Sequence, residues 1–178
     1  SKKSEAHKAD KRMPRACYTP SQIALIARIE ADVAVQLAPK PKRLAHSISV
    51  AETAERLALL YGVDPFYARV AGLLHDWDKV LPDDELISRA KKFDLDLGGA
   101  SYEDVKPLLH GIVAAKELPG LYPELPPEVF RAIEVHTTAA KEMTPLDEVI
   151  FVADGIEPLR PSSPGIEETR SLVGHAPL

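Results

Sequence analysis

The sequence predicts an all-α protein, a bundle of six or seven helices connected by short proline-rich loops. Apolar side chains recur every three or four residues along most of the chain, which is the period of a helix with one buried face. Several of these segments begin with a capping residue next to a proline, a combination that favours a helix start. No stretch alternates apolar and polar residues as a half-buried strand would, and no repeat of fixed period is present.

The first predicted helix follows a short N-terminal segment. Thr19 is a suitable N-cap, and Pro20 then occupies the first helical position. Apolar residues continue at helical spacing as far as Leu37, and Pro39 and Pro41 end the run.

The next two predicted helices carry the first histidines. One covers residues 44–61 with His46 on its apolar face, and Gly62 suits a left-handed C-cap. The other opens at Asp64 and bears a stripe of small residues that leads to His75. Because small side chains allow a neighbouring helix to approach closely, we expect His75 at the bottom of a crevice.

The second half of the chain follows the same pattern. Helices are predicted to begin at Asp83, Pro107, Glu128 and Thr144, and a last short one ends near Val173. A proline-rich loop is expected over residues 119–127. The inward faces of these helices carry His110, His136 and Asp154.

Length and composition indicate one globular domain. The chain has 178 residues, of which 45% are hydrophobic and 28% charged. We expect residues 1–16 to form a flexible basic tail and residues 17–178 to form the domain. No apolar run approaches the roughly 20 residues of a membrane span, and the N-terminal residues lack the apolar core of a signal peptide, so we expect a cytoplasmic protein without a membrane partner.

Charge and cysteine content narrow the chemistry. The net charge of −5 is a poor match to a long polyanion, so duplex nucleic acid is not an expected partner, whereas small phosphorylated ligands are compatible with it. The single cysteine, Cys17, cannot form an internal disulfide or a thiolate cluster, and we expect it to be a small buried or half-buried residue. Any metal must therefore be held by nitrogen and oxygen.

The candidate site residues are four histidines and two aspartates on predicted inward faces. Each histidine taken alone is better explained as a core residue bonded to a backbone carbonyl. Together they are harder to explain, because burying polar groups without partners costs on the order of 1–3 kcal/mol each. A pair of cations sharing a carboxylate would satisfy them all, and these ligands suit iron, manganese or magnesium about as well as zinc. The six residues are His46, His75, Asp76, His110, His136 and Asp154.

Two cations about 3.5–4 Å apart suit the hydrolysis of phosphoesters or phosphoanhydrides. Lys79 would lie near His75 if the helix continued for another turn, and could then hold a phosphate. An exposed lysine at a helix end is the alternative. Arg160 is a second candidate for a phosphate contact, with an ordinary loop residue as its alternative.

These residues resemble a known family. The order His46, His75-Asp76, Asp154 resembles the H…HD…D signature of HD-domain metal-dependent phosphohydrolases. The surrounding sequence over about residues 40–173 resembles the YqeK-type HD proteins, which are symmetrical diadenosine tetraphosphate hydrolases. The segments that carry this resemblance are HSISVA from His46, GLLHD from Gly72, LHG from Leu109, HTT from His136 and IFVADGIEPLR from Ile150.

The resemblance implies an HD-domain helical bundle with a di-iron centre that splits a small nucleotide, diadenosine tetraphosphate, into two ADP. Four of the six residues match the ligands of one metal, with Asp76 bridging, while His110 and His136 match the second. Lys79 matches the lysine of the family's HDxxK sequence, and Thr137 and Arg160 match positions around the phosphates. We expect a hydroxide between the metals to attack a central phosphorus, with Asp76 and Lys79 as catalytic residues. A homodimer is compatible with the sequence.

The sequence also departs from the family pattern. Asp78 precedes Lys79 where the family usually has a small residue, and it could pair with that lysine. The family usually carries one or two more helices beyond the last predicted one. The alternatives are another HD phosphohydrolase, such as a nucleotidase or phosphodiesterase, a non-catalytic nucleotide-sensing module, and a purely structural bundle.

Overall fold

The computed structural model describes residues 15–138 and 140–178, and within them the chain forms helices and no strands, which confirms the predicted all-α class. The helices are α1 (Pro20–Gln36), α2 (Pro41–Tyr61), α3 (Pro65–Leu74), α4 (Asp83–Lys92), α5 (Tyr102–Val105), α6 (Leu109–Leu121), α7 (Pro127–Val135), α8 (Pro145–Ile156) and α9 (Pro164–Leu172). Short 3-10 turns cover Trp77–Val80 and Lys106–Leu108. None of the helices in these described ranges has the length and apolar character needed to cross a bilayer. Residues 1–14 of the expected basic tail lie outside the described residues, and the division into tail and domain stays a prediction.

Helix starts follow the capping chemistry read from the sequence. Thr19 accepts a hydrogen bond from the backbone N–H of Gln22 in a complete capping box, and Asp64 accepts one from the N–H of Phe66 at 2.8 Å. Thr144 caps α8 in the same way as Thr19 caps α1. Each of these helices then has proline at its first position, where no N–H is needed.

Three local predictions differ from the structure. Helix α2 begins at Pro41, three residues earlier than expected, because that proline starts the second helix as well as closing the first. Helix α6 runs through Pro119 where we expected a loop. The proline lies in the last turn, so it removes one backbone hydrogen bond, while buried Leu118 and Tyr122 keep the turn packed. Cys17 is exposed rather than buried.

The hydrophobic core is built around α3, which packs against α1, α2, α7 and α8. Its contact with α2 is unusually close at Gly72, where an added Cβ would lie 2.7 Å from the Cα of Ala51. Only glycine permits this approach, so the crevice expected from the small-residue stripe is present. It places the end of α3, and with it His75, deep in the bundle.

A smaller apolar cluster joins α4 to α6 through Leu86, Ala90, Leu109 and Val113. The 3-10 turn that contains Lys79 lies against α6 on this side of the molecule. At the other end, Arg170 of α9 donates hydrogen bonds to the carbonyls of Ile156 and Glu157, both at 3.0 Å. These contacts fix the segment that follows α8.

Candidate metal centre

All six predicted site residues meet in one buried cluster. His46 comes from α2, His110 from α6 and Asp154 from α8, whereas the other three directly follow helix ends. Five of the six are buried and Asp154 is half-buried. Residues more than a hundred positions apart therefore converge, as the sequence predicted. The residues after helix ends are His75 and Asp76 at the end of α3 and His136 at the end of α7.

Asp76 lies between two groups of histidines and turns one oxygen to each. Its Oδ2 is 3.3 Å from Nε2 of His75 and 3.7 Å from Nε2 of His46. Its Oδ1 is 3.3 Å from Nε2 of His110 and 3.6 Å from Nε2 of His136. A carboxylate with one oxygen in each of two donor groups has the arrangement needed to bridge two cations.

Asp154 completes the first donor group. Its Oδ1 is 2.8 Å from Nε2 of His46 and 3.5 Å from Nε2 of His75. The second donor group is tight as well, since the Nε2 atoms of His110 and His136 are 3.2 Å apart. Three overlapping sets of these donors are each close enough together to surround a single cation: His46, His75 and Asp76; His75, His136 and Asp154; and Asp76, His110 and His136.

Backbone carbonyls at the helix ends set the orientation of two histidines. Nδ1 of His75 donates to the carbonyl of Gly72 at 2.6 Å, and Nδ1 of His136 donates to the carbonyl of Ile133 at 2.6 Å. In both cases the acceptor lies three residues earlier, where the last helical carbonyls lack partners. The Nδ1 proton leaves Nε2 as a lone-pair donor towards the cluster.

Sequence reasoning missed two residues beside the cluster. Glu157 is buried and its Oε1 accepts from Nδ1 of His46 at 2.9 Å. Arg43 donates from Nη1 to Oδ2 of Asp76 at 3.0 Å. Helical spacing relates each of them to a ligand on its own segment, Glu157 to Asp154 and Arg43 to His46, but their hydrogen bonds are made to other elements.

The predicted phosphate-contacting residues lie around the cluster. Arg160 donates from Nη2 to Oδ1 of Asp154 at 3.1 Å and keeps 40% of its side chain exposed. Lys79 is half-buried in the 3-10 turn rather than on a continued helix, and its ammonium forms no ion pair within the described ranges. The hydroxyl of Thr137, next to His136, is buried and lacks a hydrogen-bond partner among the described residues.

Asp78 does not pair with Lys79. It is fully buried, and the nearest cation is Arg89, whose Nη1 lies 4.0 Å from Oδ1 and also donates to Glu117 at 3.0 Å. Burial, followed by the neighbouring Glu117 carboxylate, raises the pKa of Asp78 to about 8. The Asp78 carboxylate, which departs from the family pattern, therefore lies beside Arg89 and Glu117 rather than beside Lys79.

The carboxylates of the cluster favour positive charge on the groups beside them. Burial opposes protonation of His75, yet the carboxylates of Asp76 and Asp154 outweigh it and raise the pKa of His75 to about 10. Burial also opposes ionisation of Asp154, but His46 and His75 hold its pKa well below the ordinary value.

The same residues fit a pair of divalent cations. Nε2 of His75 is buried and has no hydrogen-bond partner within the described ranges, which is the state expected of a nitrogen kept for a metal. The donors are imidazole and carboxylate, a set that suits divalent transition metals.

Comparisons with known proteins agree with this geometry. The sequence pattern of the HD domain matches residues 43–159. The chain is 37% identical over 132 residues to the symmetrical bis(5'-nucleosyl)-tetraphosphatase of Staphylococcus aureus, covering 74% of this chain and 66% of that protein. It is 38% identical over 134 residues to the enzyme of the same name from Halalkalibacterium halodurans, covering 72% and 67%. The chain thus spans about two thirds of the length of these relatives.

A solved structure is similar as a whole. A protein from Clostridium acetobutylicum, described as a predicted HD superfamily hydrolase involved in NAD metabolism, superposes with a TM-score of 0.75 at 34% sequence identity. The match covers 84% of this chain and 77% of that one. It includes more of the chain than the matched HD-domain segment alone.

Proposed function

The chain belongs to the HD-domain family, in its YqeK-type group, and from that premise we propose that it hydrolyses diadenosine tetraphosphate symmetrically to two ADP. The observation that carries the proposal is the position of Asp76. Its two oxygens face two separate donor groups, an arrangement suited to a two-cation phosphohydrolase and unnecessary in a structural bundle. The names of the tetraphosphatase relatives supply the substrate.

The proposed ligands divide into two groups that share Asp76. His46, His75 and Asp154 would hold one cation, and His110 and His136 the other. When bound, two cations would lower the pKa of a water molecule and neutralise charge on phosphate oxygens. We propose iron as the metal in both positions, by resemblance to the family, while the same donors also suit manganese or magnesium.

The remaining residues of the site act on the phosphates. Lys79 lies in the 3-10 turn that packs against α6, the helix of His110, which supports a position near the second donor group. There it would offset charge on the phosphate under attack. The unpartnered hydroxyl of Thr137 can donate to a phosphate oxygen, and the exposed part of the Arg160 guanidinium can form a charge-assisted pair.

Product analysis tests the proposal. The protein loaded with iron or manganese should convert diadenosine tetraphosphate to ADP alone, and ATP plus AMP would contradict the symmetrical cut. His75→Ala and Asp76→Ala should each lose metal and activity together, because each removes a donor that no neighbour can replace. Retention of full metal content by either variant would contradict the assigned ligands.

Two alternatives from the sequence need separate tests. Another HD phosphohydrolase chemistry predicts faster turnover of a mononucleotide, a cyclic nucleotide or guanosine tetraphosphate in a substrate panel. A nucleotide-sensing module predicts tight binding of the tetraphosphate without turnover under several metals. Asp78 keeps this alternative open, because a pair with Lys79 would weaken catalysis. The cation beside Asp78 is Arg89, at 4.0 Å, and not Lys79. Attack by a bridging hydroxide, a homodimer and a cytoplasmic location stay predictions.

A further inference from the structure

A cationic cavity adjoins the first donor group of the metal centre. It has a volume of about 330 Å³, and we call it the arginine pocket after Arg43 and Arg160 in its wall. Lys42 lines the same cavity, and His46 forms the part of the wall that leads to the cluster. Its size lies within the range of small-ligand sites.

Most charged residues that line the arginine pocket are cationic. Glu157 is the one carboxylate among its lining residues, and that carboxylate already accepts from Nδ1 of His46 at 2.9 Å and from the N–H of Leu159 at 2.7 Å. Three cationic side chains thus line the cavity. Arg43 and Arg160 also pair with Asp76 and Asp154, two carboxylates that cations bound in the cluster would offset. Such a wall favours a ligand with two or three negative charges.

Both arginines reach the cluster, and each has further N–H groups that bond no described residue. Arg43 uses one N–H on Asp76, and Arg160 uses Nε and Nη2 on Asp154. Their side chains remain 34% and 40% exposed. The unused guanidinium N–H groups can bind phosphate oxygens in a forked geometry while the same side chains stay fixed to the metal-ligand carboxylates.

We infer that the arginine pocket binds the two phosphates of one ADP unit of the substrate, an inference that rests on the proposed function. Lys79 and Thr137 belong to the other side of Asp76, because the 3-10 turn of Lys79 packs against α6, the helix of His110, and Thr137 directly follows His136. A tetraphosphate with two phosphates in the pocket would present its middle anhydride at the metal centre. The pocket therefore determines which phosphoanhydride bond is hydrolysed.

The reaction at this bond is a simple hydrolysis. A water oxygen forms a bond to one central phosphorus, the middle P–O–P linkage breaks, and the bridging oxygen leaves on the second ADP. One water is consumed for two ADP, with release of the displaced proton. A substrate with a single phosphate has nothing to place in the pocket and gains nothing from it.

The test compares two substrates in variants of the pocket. Lys42→Glu is the principal variant, because Lys42 is exposed and forms no hydrogen bond or ion pair with the six clustered residues in the described ranges. Arg43→Lys keeps the charge and removes the fork. Both should raise KM for diadenosine tetraphosphate by about tenfold, and Lys42→Glu should also leave hydrolysis of bis(p-nitrophenyl) phosphate and metal content unchanged. Arg56→Ala, an exposed change on the same helix, is the matched control and should alter neither substrate.

In Lys42→Glu, an equal loss of activity on both substrates, or an unchanged KM for the tetraphosphate, would overturn the inference. Binding of pyrophosphate to the manganese-loaded protein tests the arginine pocket independently of the proposed function. If the tetraphosphate is not cleaved at all, the proposed function fails, but pyrophosphate should still bind about tenfold more weakly to Lys42→Glu than to wild type. Equal pyrophosphate affinity in the two proteins would refute the pocket itself.

Discussion

Two histidines of the cluster are oriented by the carbonyl three residues earlier in the chain. His75 and His136 each follow a helix end, and each donates from Nδ1 at 2.6 Å to a carbonyl that the helix leaves unpaired. One hydrogen bond thus caps the helix and fixes the imidazole with Nε2 towards the cluster. The ligand geometry is a consequence of where α3 and α7 end.

His46 lies inside a helix and has no free carbonyl to bond, so a side chain takes that role. The buried Glu157 carboxylate accepts from its Nδ1. We expect Glu157→Ala to weaken metal binding at the His46 donor group by about 10- to 100-fold, as is usual when the partner of a ligand histidine is lost. Glu157→Gln should be milder, because the amide oxygen still accepts that hydrogen bond. Manganese titration followed by electron paramagnetic resonance measures the effect.

The control for this pair of variants is Glu168→Ala, an exposed change on α9 that should leave the binding of both manganese ions unchanged. If Glu157→Ala binds two equivalents with wild-type affinity, Glu157 has a packing role only. A lower melting temperature alone would not distinguish the two roles, whereas the stoichiometry and affinity of metal binding do.

Asp78 is a second buried carboxylate, and it is expected to reduce stability. Both of its oxygens lack hydrogen-bond partners within the described ranges, and Arg89 is no closer than 4.0 Å. Asp78→Asn should stabilise the fold by about 1 kcal/mol at pH 8, because the amide is neutral and can donate to Glu117. Urea unfolding measures this, with exposed Glu52→Gln as the control for a lost negative charge.

The same variant tests whether Asp78 impairs the site. Since its carboxylate faces Arg89 and not Lys79, turnover by Asp78→Asn should stay within about twofold of wild type. A large gain in activity would mean that Asp78 restrains Lys79 after all.

At the level of the helices, the contact between α2 and α3 determines how deep the site lies. Gly72→Ala should destabilise the fold by about 2–3 kcal/mol, because its Cβ would lie 2.7 Å from the backbone Cα of Ala51, which cannot rotate away. The displaced α3 would also carry His75 away from His46. The melting temperature and the metal content should therefore both fall in this variant.

Gly120→Ala provides the matched comparison for this helix glycine. Gly120 lies in the last turn of α6 and has open space where a Cβ would be placed. Alanine there should be neutral or should stabilise the fold by up to about 1 kcal/mol, because it reduces the conformational entropy of the unfolded chain. An equal loss from Gly120→Ala, where a Cβ would meet nothing within 4 Å, would show that the close contact with Ala51 does not cause the loss in Gly72→Ala.

Helix boundaries were predictable where local chemistry determines them. Thr19 and Thr144 cap their helices through bonds within three residues, and such bonds can be read from the sequence. Pro119 was misjudged because burial of Leu118, a tertiary effect, keeps that turn helical. The turn at Lys79 was missed for a similar reason, since α3 must end before Asp76 for this carboxylate to enter the cluster.

For the whole molecule, the sequence predicted which side chains converge but not how their charges are compensated. The ligand types stand out in the sequence because buried histidines and aspartates need partners. Arg43 and Glu157 are ordinary residues for a helix surface, and their contacts with Asp76 and His46 depend on how α2, α3 and α8 pack. Patterns along one helix carry no information about packing between helices.

This convergence makes metal a link between distant parts of the fold. The donor groups join α2, α3, α6, α7 and α8, so cations that bind there stabilise the folded state and have no preformed site in the unfolded chain. At a free concentration a hundred times the dissociation constant, the gain is about 2.7 kcal/mol for each site filled. For a chain of this length one filled site corresponds to a rise in melting temperature of roughly 5–10 °C, and two filled sites to about twice that. Manganese added to chelator-treated protein should produce this rise in a calorimetric scan. His75→Ala should abolish it, whereas His175→Ala, a histidine outside the donor groups, should preserve it; identical melting temperatures with and without metal would show that the cluster binds none.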